Sequence, residues 1–178
     1  EGGVFAPESL VFPLLDSRGE IAARCVAVPY LRPADLPSME VEEGADPLIE
    51  GVRRVYAAAV EAGRRALRPG EALILTGHCY MCDGALSELS ERKILGGNQH
   101  ALPVDVFPED AAYVALGHLH RAQAVGTRGS VRYSGSPLPL AVDEEPYPHQ
   151  VVLADIAEGQ LANVESLRVP RFVAIRRI

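Results

Sequence analysis

The sequence lacks long hydrophobic runs, internal repeats and an even set of cysteines. No apolar run approaches the roughly 20 residues that a membrane-spanning helix needs, and the first residues do not resemble a signal peptide. Three cysteines make an odd number, which fits a reducing cytoplasm better than a disulfide-bonded secreted scaffold. We therefore expect a cytoplasmic protein without a membrane segment.

Lysine is almost missing, since Lys93 is the single lysine among 17 basic residues. A bias of this kind is more typical of a GC-rich coding sequence than of any function. The net charge of −7 argues against an extended surface that coats nucleic acid. It does not exclude an enzyme that reaches a few phosphates through metal ions, because the ions bring positive charge of their own.

The size and composition are those of an ordinary globular domain. A chain of 178 residues predicts one domain, able to bury about 70% of its unfolded surface. Hydrophobic residues make up 48% of the chain and charged residues 23%, both common values. The chain starts with Glu1 rather than Met, so we expect a piece of something longer.

Apolar patterns predict one long helix among several strands. Residues 11–15 and 24–28 flank a turn and predict a β-hairpin. A helix is predicted from Asp46 as N-cap and Pro47 at its first position, ending before Pro69. Its arginines lie mostly on the face opposite the apolar one, which indicates a solvated helix face rather than a DNA-binding patch. Further strands are predicted over residues 72–76, 113–116, 131–134, 151–156 and 164–169.

Histidines follow two of these predicted strands. Gly117-His118-Leu119-His120 comes directly after residues 113–116, and His78 follows Gly77 at the end of residues 72–76. On extended backbone His118 and His120 would lean to one side, with Cα atoms roughly 6–7 Å apart. That spacing suits two ions bridged at about 3.5–4 Å, or one ion held from one edge. If the strands are neighbours in one sheet, His78 joins the pair.

Three neutral imidazoles do not balance the charge of two divalent ions, so a dinuclear centre also needs carboxylates. The sequence contains no Asp-x-His motif. Gly97-Asn98-Gln99-His100 resembles a Gly-Asn-His site, but the extra Gln shifts the imidazole, and we interpret residues 97–100 as a loop. The visible ligands therefore make half a site.

Two plainer interpretations stay open. A histidine at a strand end is most often a hydrogen-bonded polar group without a metal. Cys79 and Cys82 form one Cys-x-x-Cys, which could be a redox pair or half of a zinc site. No second cysteine pair exists, so accidental spacing is favoured.

Residues 87–93 are polar and predict a short helix or an ordered loop.

Several motifs occur in an order that resembles a known family. They are Thr76-Gly77-His78, residues 87–92, residues 113–121 and Arg132-Tyr133-Ser134-Gly135-Ser136-Pro137. This order closely resembles the bacterial SbcD family, the nuclease subunit of the SbcCD exonuclease, within the calcineurin-like metallophosphoesterases. Residues 28–33 and 167–170 also look like that family, so the resemblance covers roughly residues 12–170.

The resemblance implies an α/β fold, namely half of a calcineurin-like αββα metallophosphoesterase sandwich with a mixed sheet. Residues 1–178 would form the C-terminal portion of the nuclease domain and end near the start of a DNA-capping domain. His78 and His118 would bind the second ion and His120 the first, in a centre of two Mn²⁺ ions. Arg121 and Ser136 would line the rim, where the substrate phosphate is met.

The implied activity of the complete protein is metal-dependent cleavage of DNA phosphodiester bonds. The implied partners are DNA, an SbcC-like coiled-coil ATPase subunit and a second copy of the nuclease subunit. With half of the ligands, the 178 residues alone are expected to be inactive. Two alternatives remain: another calcineurin-like phosphatase or phosphodiesterase, and a non-catalytic scaffold that keeps the histidines as remnants.

Overall fold

The computed structural model of the chain describes residues 6–38, 40–82, 84 and 101–173. Its long helix, α1, spans Pro47–Ala66. The strands are β1 (Val11–Leu15), β2 (Ile21–Ala27), β3 (Ala72–His78), β4 (Tyr113–Gly117), β5 (Gln123–Ala124), β6 (Val131–Tyr133), β7 (Gln150–Ala157) and β8 (Gln160–Arg168). Short 3₁₀ helices cover Pro7–Leu10, Pro33–Asp35, Val104–Val106 and Val142–Glu144.

Six of the strands form one mixed sheet in the order β1-β2-β3-β4-β6-β5. Strands β2, β3, β4 and β6 run parallel, while β1 and β5 pair antiparallel at the two edges. β7 and β8 form a separate antiparallel hairpin. The predicted β-hairpin at the start is confirmed, and so is an α/β fold with a mixed sheet.

α1 begins and ends where the sequence predicts. The Asp46 side chain accepts a hydrogen bond from the backbone N–H of Leu48 at 2.8 Å, which caps the helix, and Pro47 occupies the first turn. Val55, Tyr56 and Ala59 are buried on the face that packs on the sheet. The helix therefore forms one wall of the main core.

The arginine-rich face of α1 is held by carboxylates from other segments. Arg53 pairs with Asp105, Arg64 with Asp110 and Arg65 with Glu8, at N–O distances of 2.9, 2.6 and 2.8 Å. Exposed pairs of this kind each contribute about 0–1 kcal/mol. The pairing is further reason to interpret this face as structural rather than as a DNA patch.

The apolar runs that predicted buried strands lie in the core. Leu73 and Leu75 of β3 are buried, as are Val114 and Leu116 of the neighbouring β4. The intervening residues Ile74 and Ala115 are only half-buried, so the strands are fully covered on one face, whereas the continuous apolar runs predict cover on both. Because β3 and β4 are adjacent and parallel, their carboxyl ends lie at the same edge of the sheet.

The ends of the two central strands differ from the prediction. β3 extends through His78, and β4 ends at Gly117. At His118 the chain bends with φ of +109°, so the predicted extended backbone from His118 to His120 is wrong. The predictions for residues 87–93 and 97–100 lie outside the described residues. Within the described part of the chain, no helix is long and apolar enough to cross a membrane.

Candidate metal centre

His78 and His118 meet at the carboxyl edge of the sheet, as their positions after neighbouring strands predict. The register places His78 opposite Gly117, one residue before His118. Their ring centroids are 5.3 Å apart with planes at 78°. Tyr30 packs edge-on against His78 at 5.7 Å, and Tyr80 lies 6.5 Å from His118. The two imidazoles are therefore neighbours bordered by two tyrosine rings, and we call the surface around these four rings the basin.

The backbone around His118 is arranged to bring the rings together. A Cβ at Gly117 would lie 2.9 Å from Nδ1 of His78, so glycine leaves the space that the His78 ring occupies. His118 adopts a positive φ, which costs a non-glycine residue about 1–3 kcal/mol. Strain of this size is concentrated at functional sites, where surrounding contacts maintain it.

The surroundings of His118 favour its neutral form. Burial lowers the pKa of His118, and the neighbouring His78 and His120 lower this pKa further because like charges repel. The neutral imidazole is the form that binds a metal ion. Both other histidines therefore lie close enough to His118 to affect its charge.

His120 has a partner that sequence reasoning missed. Its Nδ1 lies 2.7 Å from Oε1 of Glu144, whose side chain is 0% exposed. Glu144 Oε2 accepts the backbone N–H of Leu140 at 2.8 Å. In the sequence, Glu144 sits within Asp143-Glu144-Glu145, a run that resembles a solvent-exposed acidic turn. The feature of the sequence that could have pointed to Glu144 is its place shortly after the Ser134–Pro137 motif.

The chemistry of the donor set fits the imidazole part of a metal centre. Nδ1 of His120 faces a carboxylate, and metal-binding histidines commonly have this arrangement, with the ion on the other ring nitrogen. Across the described residues, however, no group of three or more His, Cys, Asp or Glu side chains is arranged to hold an ion by itself. The described part of the chain therefore offers imidazoles without the facing carboxylates that two divalent ions need.

The two residues predicted to line the rim differ in exposure. Arg121 is exposed directly after His120. Ser136 is buried; its hydroxyl donates to the carbonyl of Leu138, and its backbone N–H donates to the carbonyl of His120 at 2.9 Å. Ser136 thus supports the backbone of His120, while a role of either residue in substrate binding stays a prediction.

Gly135 allows this close approach. It has φ of +80°, and a Cβ there would lie 2.7 Å from the backbone N of Ala122 and 2.8 Å from the carbonyl oxygen of His120. Both contacts are too short for a side chain, so this position requires glycine for space as well as for backbone conformation.

The Cys-x-x-Cys spacing does not produce a shared site. Burial raises the pKa of Cys79 to about 12, and its sulfur lies 3.7 Å from the sulfur of Met81. Cys82 is exposed, and its thiol donates to the carbonyl of Ala101 at 3.3 Å. Cys25, Cys79 and Cys82 are all free thiols. This agrees with accidental spacing.

The curated relatives found by comparison with known proteins share one protein name. No family model matches the chain. The D subunit of the SbcCD nuclease of Rhodobacter capsulatus is 41% identical over 179 residues, which covers 99% of this chain and 43% of the relative. The protein of the same name from Escherichia coli K12 is 36% identical over 151 residues, covering 80% of this chain and 36% of the relative. The Bacillus subtilis protein is 41% identical over 90 residues, covering 50% and 23%.

The chain thus spans less than half the length of the curated relatives that it matches. The matches agree in name and, in one case, extend over nearly the whole chain. They therefore support the resemblance seen in the strand-end histidines and the Arg132–Pro137 segment. The chain belongs to the SbcD family.

Proposed function

We propose that the complete protein containing this chain is a metal-dependent DNA nuclease. The observation that carries the proposal is the meeting of His78 and His118 at the ends of adjacent parallel strands, with His120 nearby. The relatives support it, since each is named as the D subunit of the SbcCD nuclease. The proposed reaction is hydrolysis of DNA phosphodiester bonds, by exonuclease or endonuclease action.

We further propose that the cofactor is a pair of Mn²⁺ ions, with His78 and His118 on one ion and His120 on the other. When bound, such ions polarise the phosphodiester and lower the pKa of the attacking water. The chain's own residues lower the pKa of His118 by burial and hold the His78 ring in the space that Gly117 leaves. Arg121, exposed beside His120, is proposed to attract the substrate phosphate.

The proposed partners follow from the names of the relatives. A nuclease named SbcCD, of which the relatives are one subunit, implies a complex. We therefore propose an SbcC-like coiled-coil ATPase partner, DNA as substrate and a homodimer of the nuclease subunit. The three free thiols support a cytoplasmic location. Residues 1–178 are proposed to form the C-terminal portion of the nuclease domain, ending near a DNA-capping domain.

The proposal is tested by nuclease assays on the complete protein. We expect Mn²⁺-dependent degradation of duplex DNA ends, and a loss of at least about a hundredfold in rate for His118→Ala, because one imidazole ligand disappears. An exposed residue of β8 serves as control, and Glu165→Gln is expected to retain the wild-type rate. The 178 residues alone are expected to be inactive, because the described part lacks the facing carboxylates.

Other outcomes would contradict the proposal. Turnover of small phosphoesters without DNA cleavage would indicate another calcineurin-like phosphatase or phosphodiesterase. Calorimetric titration of the complete protein with Mn²⁺ that shows no specific site would indicate a scaffold. Nuclease activity from the 178 residues alone would show that the missing ligands are not required.

A further inference from the structure

We propose that Glu144 is a positioning residue that holds the His120 imidazole with Nδ1 protonated and Nε2 directed to the metal ion. The inference rests on the proposed function, because it deepens the account of that same centre. Its starting point is the 2.7 Å contact between Nδ1 of His120 and Oε1 of Glu144. Oε2 of Glu144 accepts a backbone N–H, and an ionised carboxylate can only accept, so we assign the proton of this contact to Nδ1.

The carboxylate of Glu144 is itself fixed. The side chain is completely buried, and Oε2 accepts the backbone N–H of Leu140 at 2.8 Å. The His120 side chain is 20% exposed, so the contact lies at the boundary between the core and the basin. Burying a carboxylate costs free energy unless the group is hydrogen-bonded. Both oxygens of Glu144 have a hydrogen-bond partner here.

The backbone of Glu144 is also held in place, through His149. The His149 ring is 4% exposed and lies between two carbonyl oxygens, with Nδ1 at 3.0 Å from Ser136 and Nε2 at 3.2 Å from Glu144. Ser136 in turn donates its N–H to the carbonyl of His120. These contacts place four residues in a ring: His120, Glu144, His149 and Ser136. A neutral imidazole carries one N–H, so His149 donates to one of the two carbonyl oxygens at a time. The ring fixes both the backbone and the imidazole of His120.

A hydrogen bond of this type does more than orient a ligand. A carboxylate on the far nitrogen raises the basicity of the metal-binding nitrogen, and its removal typically costs about 10–100-fold in metal affinity. A purely structural ion pair would instead contribute to folding and leave the affinity of the folded protein unchanged. Metal affinity and unfolding temperature therefore distinguish the two roles.

The experiment uses the complete protein and Mn²⁺ alone as probe. Calorimetric titration measures affinity, and thermal unfolding without metal measures stability, for Glu144→Gln, Glu144→Ala and the matched control Glu145→Gln, whose side chain is exposed. We expect Glu145→Gln to bind Mn²⁺ as the wild type does. Glu144→Gln should weaken binding about tenfold, because the nearly isosteric amide keeps an acceptor and loses the charge. Glu144→Ala should weaken it further.

His120→Ala separates failure of this inference from failure of the proposed function. If His120→Ala weakens Mn²⁺ binding and Glu144→Gln does not, Glu144 has no positioning role. A lower unfolding temperature for Glu144→Gln with wild-type affinity would likewise overturn the inference. If neither the wild type nor His120→Ala shows a specific site, the metal centre itself is wrong and the inference falls with it. Should Glu144→Ala fail to fold, the comparison of Glu144→Gln with Glu145→Gln decides.

Discussion

The candidate centre depends on a backbone conformation that a histidine rarely adopts. His118 has φ of +109° at the point where β4 ends and the chain leaves the sheet. Glycine populates this region freely, whereas a Cβ makes it costly. A histidine is kept there by its packing against His78 and Tyr80. We interpret the strain as the cost of turning the imidazole toward the basin.

This strain predicts an unusual order of stability at position 118. We expect His118→Gly to be more stable than His118→Ala by about 1 kcal/mol, because only alanine retains a Cβ at positive φ. At the exposed helical position Ala57 the order is reversed, and Ala57→Gly should lower stability by about 0.5–1 kcal/mol. Urea denaturation of metal-free protein measures both differences. Equal stability of the two variants at position 118 would contradict the strain.

At the scale of elements, α1 and β3 meet at a contact that requires glycine. Gly77 lies opposite Leu116 in the sheet, and a Cβ there would overlap the hydroxyl oxygen of Tyr56. Tyr56 is buried in α1, and its hydroxyl donates weakly to the sulfur of Cys79 at 3.9 Å. The helix therefore touches the strand backbone one residue before His78.

A double-mutant cycle tests this contact. Gly77→Ala is expected to destabilise the protein by about 1–3 kcal/mol through overpacking. In a Tyr56→Phe background the clashing oxygen is absent, so the same substitution should cost clearly less. The free energy of unfolding of the four proteins, from urea denaturation, gives the coupling. An identical cost in both backgrounds would show that Tyr56 does not restrict position 77.

The elements were largely predictable, because their signals are local. A cap at Asp46, a proline at position 47 and the stop at Pro69-Gly70 define α1, and continuous apolar runs define β3 and β4. The convergence of His78 and His118 followed from their places at strand ends. Glu144 was missed because it reaches His120 across 24 residues, and a contact of that range has no local pattern. The bend at His118 was missed because tertiary packing overrides the β tendency of the preceding strand.

At the scale of the whole molecule, a shielded ion pair links the middle of β2 to the residue just before β3. Arg24 Nε lies 2.9 Å from Oε2 of Glu71, with side-chain exposures of 13% and 7%. Glu71 also accepts the backbone N–H of Arg68 at 3.1 Å. The hydrogen bond from Arg24 is the main cause that lowers the pKa of Glu71. Stability of the fold is therefore linked to pH through this carboxylate.

The sign of the linkage gives a prediction. Because the folded pKa of Glu71 is below its ordinary value, its contribution to stability is present above that ordinary value and is lost as the pH falls through the folded value. We expect Glu71→Gln to destabilise the protein more at pH 7 than at pH 3. Urea denaturation at both pH values measures this. In an Arg24→Gln background the pH dependence of the substitution should largely disappear; if it persists, another group causes it.

The order in which the ring around His120 is synthesised has a consequence for biogenesis. A nascent chain exposes His78, His118 and His120 before Glu144, which follows 24 residues later, and before His149 beyond it. Until those residues leave the ribosome, three imidazoles are present without the carboxylate that is proposed to align one of them. If the proposed metal centre holds, binding of an ion in its final geometry would therefore be a late step, completed only after Glu144 and His149 have been synthesised.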